Sequence, residues 1–285
     1  MSNGTKNLAL FCDFENIALG VRDARYARFD IEEVLERLLV KGNIVVKKAY
    51  CDWERYKDFK RAMHEASFEL IEIPHRRQSG KNSADIRMVV DALDLCYTKA
   101  HVDTFVVISG DSDFSPLVSK LRENNKEVIG VGVKESTSDL LIANCDEFIY
   151  YEDIVRQTAR RKPHKKKTSG KKDVDDSENN GNGNGNGSGA GTIANAQKAE
   201  ERAQEAFELV LETLDDIFSE RGDESQVWGS MVKQALKRRK PSFSESYHGF
   251  RSFGMLLEDM EKRELLSLQH DQKSGGYVIT SYSSE

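Results

Sequence analysis

Between residues 6 and 153, short apolar runs alternate with segments of helical periodicity, and that alternation narrows the possible folds more than any other feature. "NLALFCDF", "NIVVKKAYC", "FELIEIP", "TFVVIS", "EVIGVGV" and "EFIYY" read as strands. Between them, "FDIEEVLERLLVKG" sets Ile31, Val34, Leu35, Leu38 and Leu39 at helical spacing, with Gly42 as its stop. "WERYKDFKRAMHEAS", "SADIRMVVDALDLCYTKA", "FSPLVSKLREN" and "STSDLLIANC" supply further helices, Ser83 being the expected N-cap of the second. Strands and helices in this order form βαβ units. They build an α/β domain, a mostly parallel sheet with helices on both faces.

In such sheets ligands bind beyond the carboxyl ends of the strands. Acids collect at that edge. Asp13 ends the first strand, Asp111 and Asp113 follow the fourth, and Asp85 opens the long helix after the third. Asp91 is six residues further along that helix and faces about 120° away, so it is a supporting residue rather than a ligand. Carboxylates crowded together raise one another's proton affinity. A hard divalent cation relieves that repulsion, and Mg²⁺ or Mn²⁺ held this way serves phosphodiester displacement. Asp111 and Asp113 could also do no more than form a turn and cap the next helix.

Composition divides the 285-residue chain into two domains and a tether. Within residues 154–198, the basic run "RQTARRKPHKKKTSGKK" (156–172) is followed by "GNGNGNGSGAG", which lacks the apolar residues to fold. Beyond it, residues 199–285 carry three amphipathic helical patterns and two short strands around a Gly-containing turn, a small winged-helix domain. Trp228, Phe250 and Phe253 fall at core spacing there. The net charge of −6 gives no global basic signature, so nucleic-acid contacts must be local. Arg76, Arg77, Lys81 and Arg87 border the acidic edge, and Lys233, Lys237, Arg238, Arg239 and Lys240 cluster at the end of a helix. Both groups suit phosphate contacts. For the second, the helix dipole is an alternative explanation.

Other chemistries fit less well. No GxxxxGK[ST] loop and no GxGxxG after the first strand are present, against a P-loop NTPase or a dinucleotide site. "CDFEN" has Glu15 where an aspartyl-nucleophile phosphatase, by resemblance to the haloacid dehalogenase family, would carry the second aspartate of a DxD pair. Cys12, Cys51, Cys96 and Cys145 form no CxxC pair, which points to buried thiols in a reducing cytoplasm, and no run is apolar enough for a membrane span.

"LALFCDFENI", "KNSADIRMVVDAL" and "FVVISGDSDFSPLVSKLRENNKEVIGVG" together resemble the NYN domain, a PIN-like nuclease fold of Rossmannoid type, and its LabA-like branch in particular, over residues 6–153. The resemblance implies a metal-dependent endoribonuclease whose catalytic, metal-holding acids are Asp13, Asp85, Asp111 and Asp113, with Mg²⁺ or Mn²⁺ as cofactor. Asn16, from the family's D-x-x-N pattern, and Ser109 would support them. "KNSAD" replaces the K-G-x-D of many members, so the loop before Asp85 has its own shape. "VWGSMVKQALKRRKPSFSESYHGFRSF" resembles the OST-HTH or LOTUS domain, which implies RNA or a docking protein as partner. Two readings stand beside the nuclease: a non-catalytic RNA-binding adaptor, and a phosphatase or DNA nuclease using the same acids. An oligomer is compatible with all three.

Overall fold

The computed structural model describes residues 5–73, 81–161, 190–221, 226–271 and 275–283. The first part runs β1 (Lys6–Asp13), α1 (Phe14–Asp23), α2 (Ile31–Leu39), β2 (Gly42–Cys51), α3 (Lys57–Glu65), β3 (Glu69–Glu72), α4 (Lys81–Thr98), β4 (Thr104–Ile108), α5 (Ser115–Glu123), β5 (Glu127–Gly132), α6 (Asp139–Asn144), β6 (Glu147–Tyr150) and α7 (Tyr151–Arg161). All six strands are parallel, in the order β3-β2-β1-β4-β5-β6. The α/β fold is therefore as the alternation requires. Chain order reverses between β1 and β4, which places the ligand crevice of a doubly wound sheet beside the ends of those two strands.

β1 shows why its sequence is apolar throughout. Leu8, Leu10 and Cys12 pack into one layer with Ile17, Val34 and Leu38, while Ala9 and Phe11 pack into the other with Met88, Val118 and Leu121. Successive side chains point to opposite faces, and both faces are covered. All four cysteines are buried and free.

Two helix starts in this part differ from expectation. α1 follows β1 without a loop, in a segment whose periodicity was masked by the strand before it. Ser83 lies inside α4, which begins at Lys81, and so is not its N-cap. α7 runs from Tyr151 to Arg161 and buries Ile154, so the first part of the basic run is helical.

The second part comprises α8 (Ala190–Arg221), β7 (Val227–Trp228), α9 (Gly229–Arg239), α10 (Phe253–Lys262), β8 (Leu266–His270) and β9 (Tyr277–Tyr282). Its three strands form an antiparallel sheet in the order β7-β9-β8, giving the three helices and wing of a winged-helix arrangement. α8 starts well before residue 199 because the Ala-rich stretch there has high helix propensity. Phe207, Val210, Leu214, Val232, Leu236, Phe253 and Leu256 form the core, with Phe250 packed on it. Trp228 is not part of that core. It sits on the short strand β7, where Val227 points inward and the indole is only partly buried. Among the described residues, no helix is long and apolar enough to cross a membrane.

Candidate active site

The site grows from the ends of β1 and β4. Asp13 is the last residue of β1 and the N-cap of α1, its Oδ1 accepting from the Asn16 N–H at 3.3 Å. Its Oδ2 accepts from the Ser109 hydroxyl at 3.1 Å, just past β4. The same Ser109 oxygen accepts the Asp111 N–H at 3.2 Å. Asn16 completes the link, its Oδ1 accepting the Gly110 N–H at 2.8 Å. Asn16 and Ser109 thus bind the two acid-bearing loops to each other. Gly110 has to be glycine for steric reasons, since a Cβ there would stand 2.5 Å from the Ser136 carbonyl oxygen.

A cavity of about 210 Å³ opens at this point, lined by Asp13, Glu15, Asn16, Leu19, Tyr50, Cys51, Asp52, Ile73, Ala84, Asp85 and Asp111. Three of the four acids expected from sequence therefore line one pocket. Asp113 does not line it. It is exposed on a short 3₁₀ turn whose N-cap is Asp111, and its N–H donates to Asp111 Oδ1 at 3.0 Å. Asp111 does both things considered for it: it caps the turn and faces the pocket.

Burial dominates the electrostatics. Asp13 is 8 % exposed. Desolvation first, and then the Asp85 carboxylate, push its pKa up to about 7, against the Asn16 and Ser109 hydrogen bonds. Cys51, in the pocket wall, has its thiol pushed well up by burial and by Glu15 and Asp13, so it stays protonated and is no nucleophile. Asp91 is held away from the pocket in a neutralising network. It accepts from Tyr50 Oη at 2.9 Å and pairs with Arg87 Nε at 3.0 Å and Lys48 Nζ at 3.4 Å. Through Tyr50 it supports the pocket wall.

The pocket adds residues that sequence reasoning missed. Asp52 immediately follows β2 in "AYCDW" and satisfies the same strand-end rule that identified Asp13. Glu15 faces the cavity and pairs with Arg55 at 3.2 Å. Among the described residues, no three His, Cys, Asp or Glu side chains are gathered closely enough to hold one ion as they stand. The acids fit a cation that takes one or two carboxylates and keeps several waters, as Mg²⁺ does.

Of the expected phosphate-binding cations, Arg76 and Arg77 lie outside the described residues, as does the side chain of Lys81. At the second cluster, Lys233 pairs with Glu245 at 2.7 Å, Lys237 with Glu147 at 3.3 Å, and Arg239 with Asp216. Arg238 and Lys240 sit at the end of α9.

The chain is similar to several known proteins. A crystal structure of a protein of unknown function, VPA0982 from Vibrio parahaemolyticus, aligns with a TM-score of 0.48 and 27% identity over 54% of this chain and 98% of its own. The chain is 26% identical to the uncharacterized protein MJ0482 of Methanocaldococcus jannaschii, over 58% of this chain and 62% of that protein. It is 25% identical to meiosis regulator and mRNA stability factor 1 of Xenopus tropicalis, over 58% of this chain but 10% of that one. The chain thus spans less than two thirds of either curated relative. Residues 7–152, from the first strand to the start of α7, match the NYN domain, and the chain belongs to the NYN domain family.

Proposed function

We propose that this protein is a metal-dependent endoribonuclease that hydrolyses RNA phosphodiester bonds at the pocket between β1 and β4. The observation that carries this is the convergence of Asp13, Asp85 and Asp111 on one cavity at the switch point of the sheet. The NYN domain supports it, a family in which ribonucleases are general. So does the name of the Xenopus relative, which concerns mRNA stability. Asp13, Asp85 and Asp111 would hold Mg²⁺ or Mn²⁺. When bound, such an ion polarises a phosphoryl oxygen and makes water a better nucleophile. The chain's own part is to keep Asp13 poised. Ser109 and the Asn16 backbone hold its carboxylate, and Tyr50, fixed by Asp91, shapes the wall beside it. The C-terminal domain, in this reading of OST-HTH or LOTUS type, recruits RNA through the cations at the end of α9.

A second reading has its own support. No three ligating side chains stand close enough for an ion among the described residues, as a non-catalytic RNA-binding adaptor would allow. One experiment separates the two. Purified protein is incubated with labelled single-stranded RNA, structured RNA and DNA, with and without Mg²⁺ or Mn²⁺. Metal-dependent RNA cleavage lost in Asp13→Asn and Asp111→Asn supports the nuclease. RNA binding without cleavage under every metal condition supports the adaptor, and metal-dependent cleavage of DNA alone makes it a DNA nuclease.

A further inference from the structure

The winged-helix part is seated on the NYN part rather than merely tethered to it. β6 is an edge strand, and its Phe148 N–H donates to the Pro241 carbonyl at 2.9 Å, which blocks an otherwise open edge. At the start of β6, Glu147 accepts from Lys41 of its own domain at 2.6 Å and from Lys237 of α9 at 3.3 Å. Its carboxyl is 17% exposed. Burial alone would raise its pKa, but the two ammonium groups outweigh burial and hold it below the usual range. Further along, Gln157 of α7 donates to Ser246 Oγ at 2.7 Å. Lys134 donates to the Tyr247 hydroxyl at 2.9 Å and lies 4.4 Å from the centre of its ring. Most of these contacts are polar, the character of domain interfaces that open and close.

This seating uses a cation that nucleic acid would also use. Lys237 belongs to the basic cluster at the end of α9, and its carboxylate partner lies in the other domain. The partners of Lys233 and Arg239 lie within the winged-helix part itself. A phosphate that takes Lys237 must displace Glu147. By linkage, phosphate at Lys237 weakens the seating by the same factor by which the seating weakens phosphate binding, so loosening the seating strengthens that binding.

We propose that seating of residues 237–247 on the β6 edge competes with a phosphodiester backbone at the end of α9, so that RNA binding lifts the second domain off the first. This rests on the RNA reading above, and it concerns binding and not cleavage. The test uses the full chain in excess chelator, a fluorescent single-stranded oligouridylate as probe, and small-angle X-ray scattering for the radius of gyration. Glu147→Gln removes the charge that competes for Lys237. Tyr247→Ala breaks a separate part of the interface and leaves both Glu147 and Lys237 in place. Both variants are expected to be more extended than the wild type and to bind the probe about fivefold or more tightly at low salt. Probe added to the wild type is expected to extend it as well. Unchanged or weaker binding by two folded, extended variants would overturn the proposal. Variants as compact as the wild type would overturn it too. If those results come with metal-dependent RNA cleavage by the wild type, this inference fails alone and the nuclease reading stands.

Discussion

Ser109 Oγ donates to Asp13 Oδ2 at 3.1 Å while accepting the Asp111 N–H at 3.2 Å, so one hydroxyl fixes two acids carried by different strands. Without it, the carboxylate that ends β1 and the loop that follows β4 would be positioned separately. Ser109→Ala removes a hydrogen bond that lowers the Asp13 pKa, and that pKa then rises further. In a cleavage assay the acidic limb of the pH profile is expected to shift to higher pH, with Ser109→Thr restoring it. An unmoved limb would mean that Ser109 only shapes the loop.

The four acids are not equivalent. Asp13→Asn and Asp111→Asn each remove a carboxylate that faces the cavity, and are expected to slow cleavage on the order of a hundredfold or more, the scale of losing several kcal/mol of metal assistance. Asp113→Asn changes an exposed side chain outside the pocket and is expected to change the rate by less than about tenfold. Single-turnover cleavage of one labelled RNA ranks the three. Equal losses in all three would contradict the placement of Asp113.

Asp13 also makes stability depend on pH. Its pKa rises from 3.8 to about 7 on folding, so over that range the folded state binds more protons than the unfolded one. The stability contribution is fully present below the ordinary value and is lost as pH rises towards about 7. Metal-free protein is therefore expected to melt at a lower temperature at about pH 8 than at about pH 5.5 on account of this group. Asp13→Asn should flatten that difference and raise the melting temperature at about pH 8 by a few degrees. Added Mg²⁺ should raise the wild-type melting temperature more at the higher pH. Scanning calorimetry in chelator and in metal measures all three.

Gly110 tests how closely the acid loop is packed. The Cβ of Gly110→Ala would meet the Ser136 carbonyl oxygen at 2.5 Å, and backbone there has little room to yield. The substitution is expected to destabilise by about 1–3 kcal/mol in urea unfolding and to displace Asp111, lowering cleavage as well. A variant with wild-type stability would show that the loop moves freely against residues 136–137.

The sequence by itself determined the parallel α/β sheet, because strand and helix periodicities are local and the strands buried on both faces are apolar throughout. It also determined that Asp13 and Asp111 stand at the ligand edge, since each lies within a few residues of a strand end. Only the tertiary structure decided the rest, because those outcomes depend on which strands become neighbours. The order β3-β2-β1-β4-β5-β6 brings β2 beside β1 and so carries Asp52 into the pocket, although "AYCDW" alone looks like any strand end. Asp113 turns outward because Asp111 caps the turn between them, a competition of hydrogen bonds that sequence spacing does not resolve. Asp91 is bound by Tyr50 and Lys48 from a strand some forty residues away. The partner of Lys237 is a carboxylate in another domain, and no pattern along the chain links residues 147 and 237. Such pairings belong to surfaces that exist only after each domain has folded.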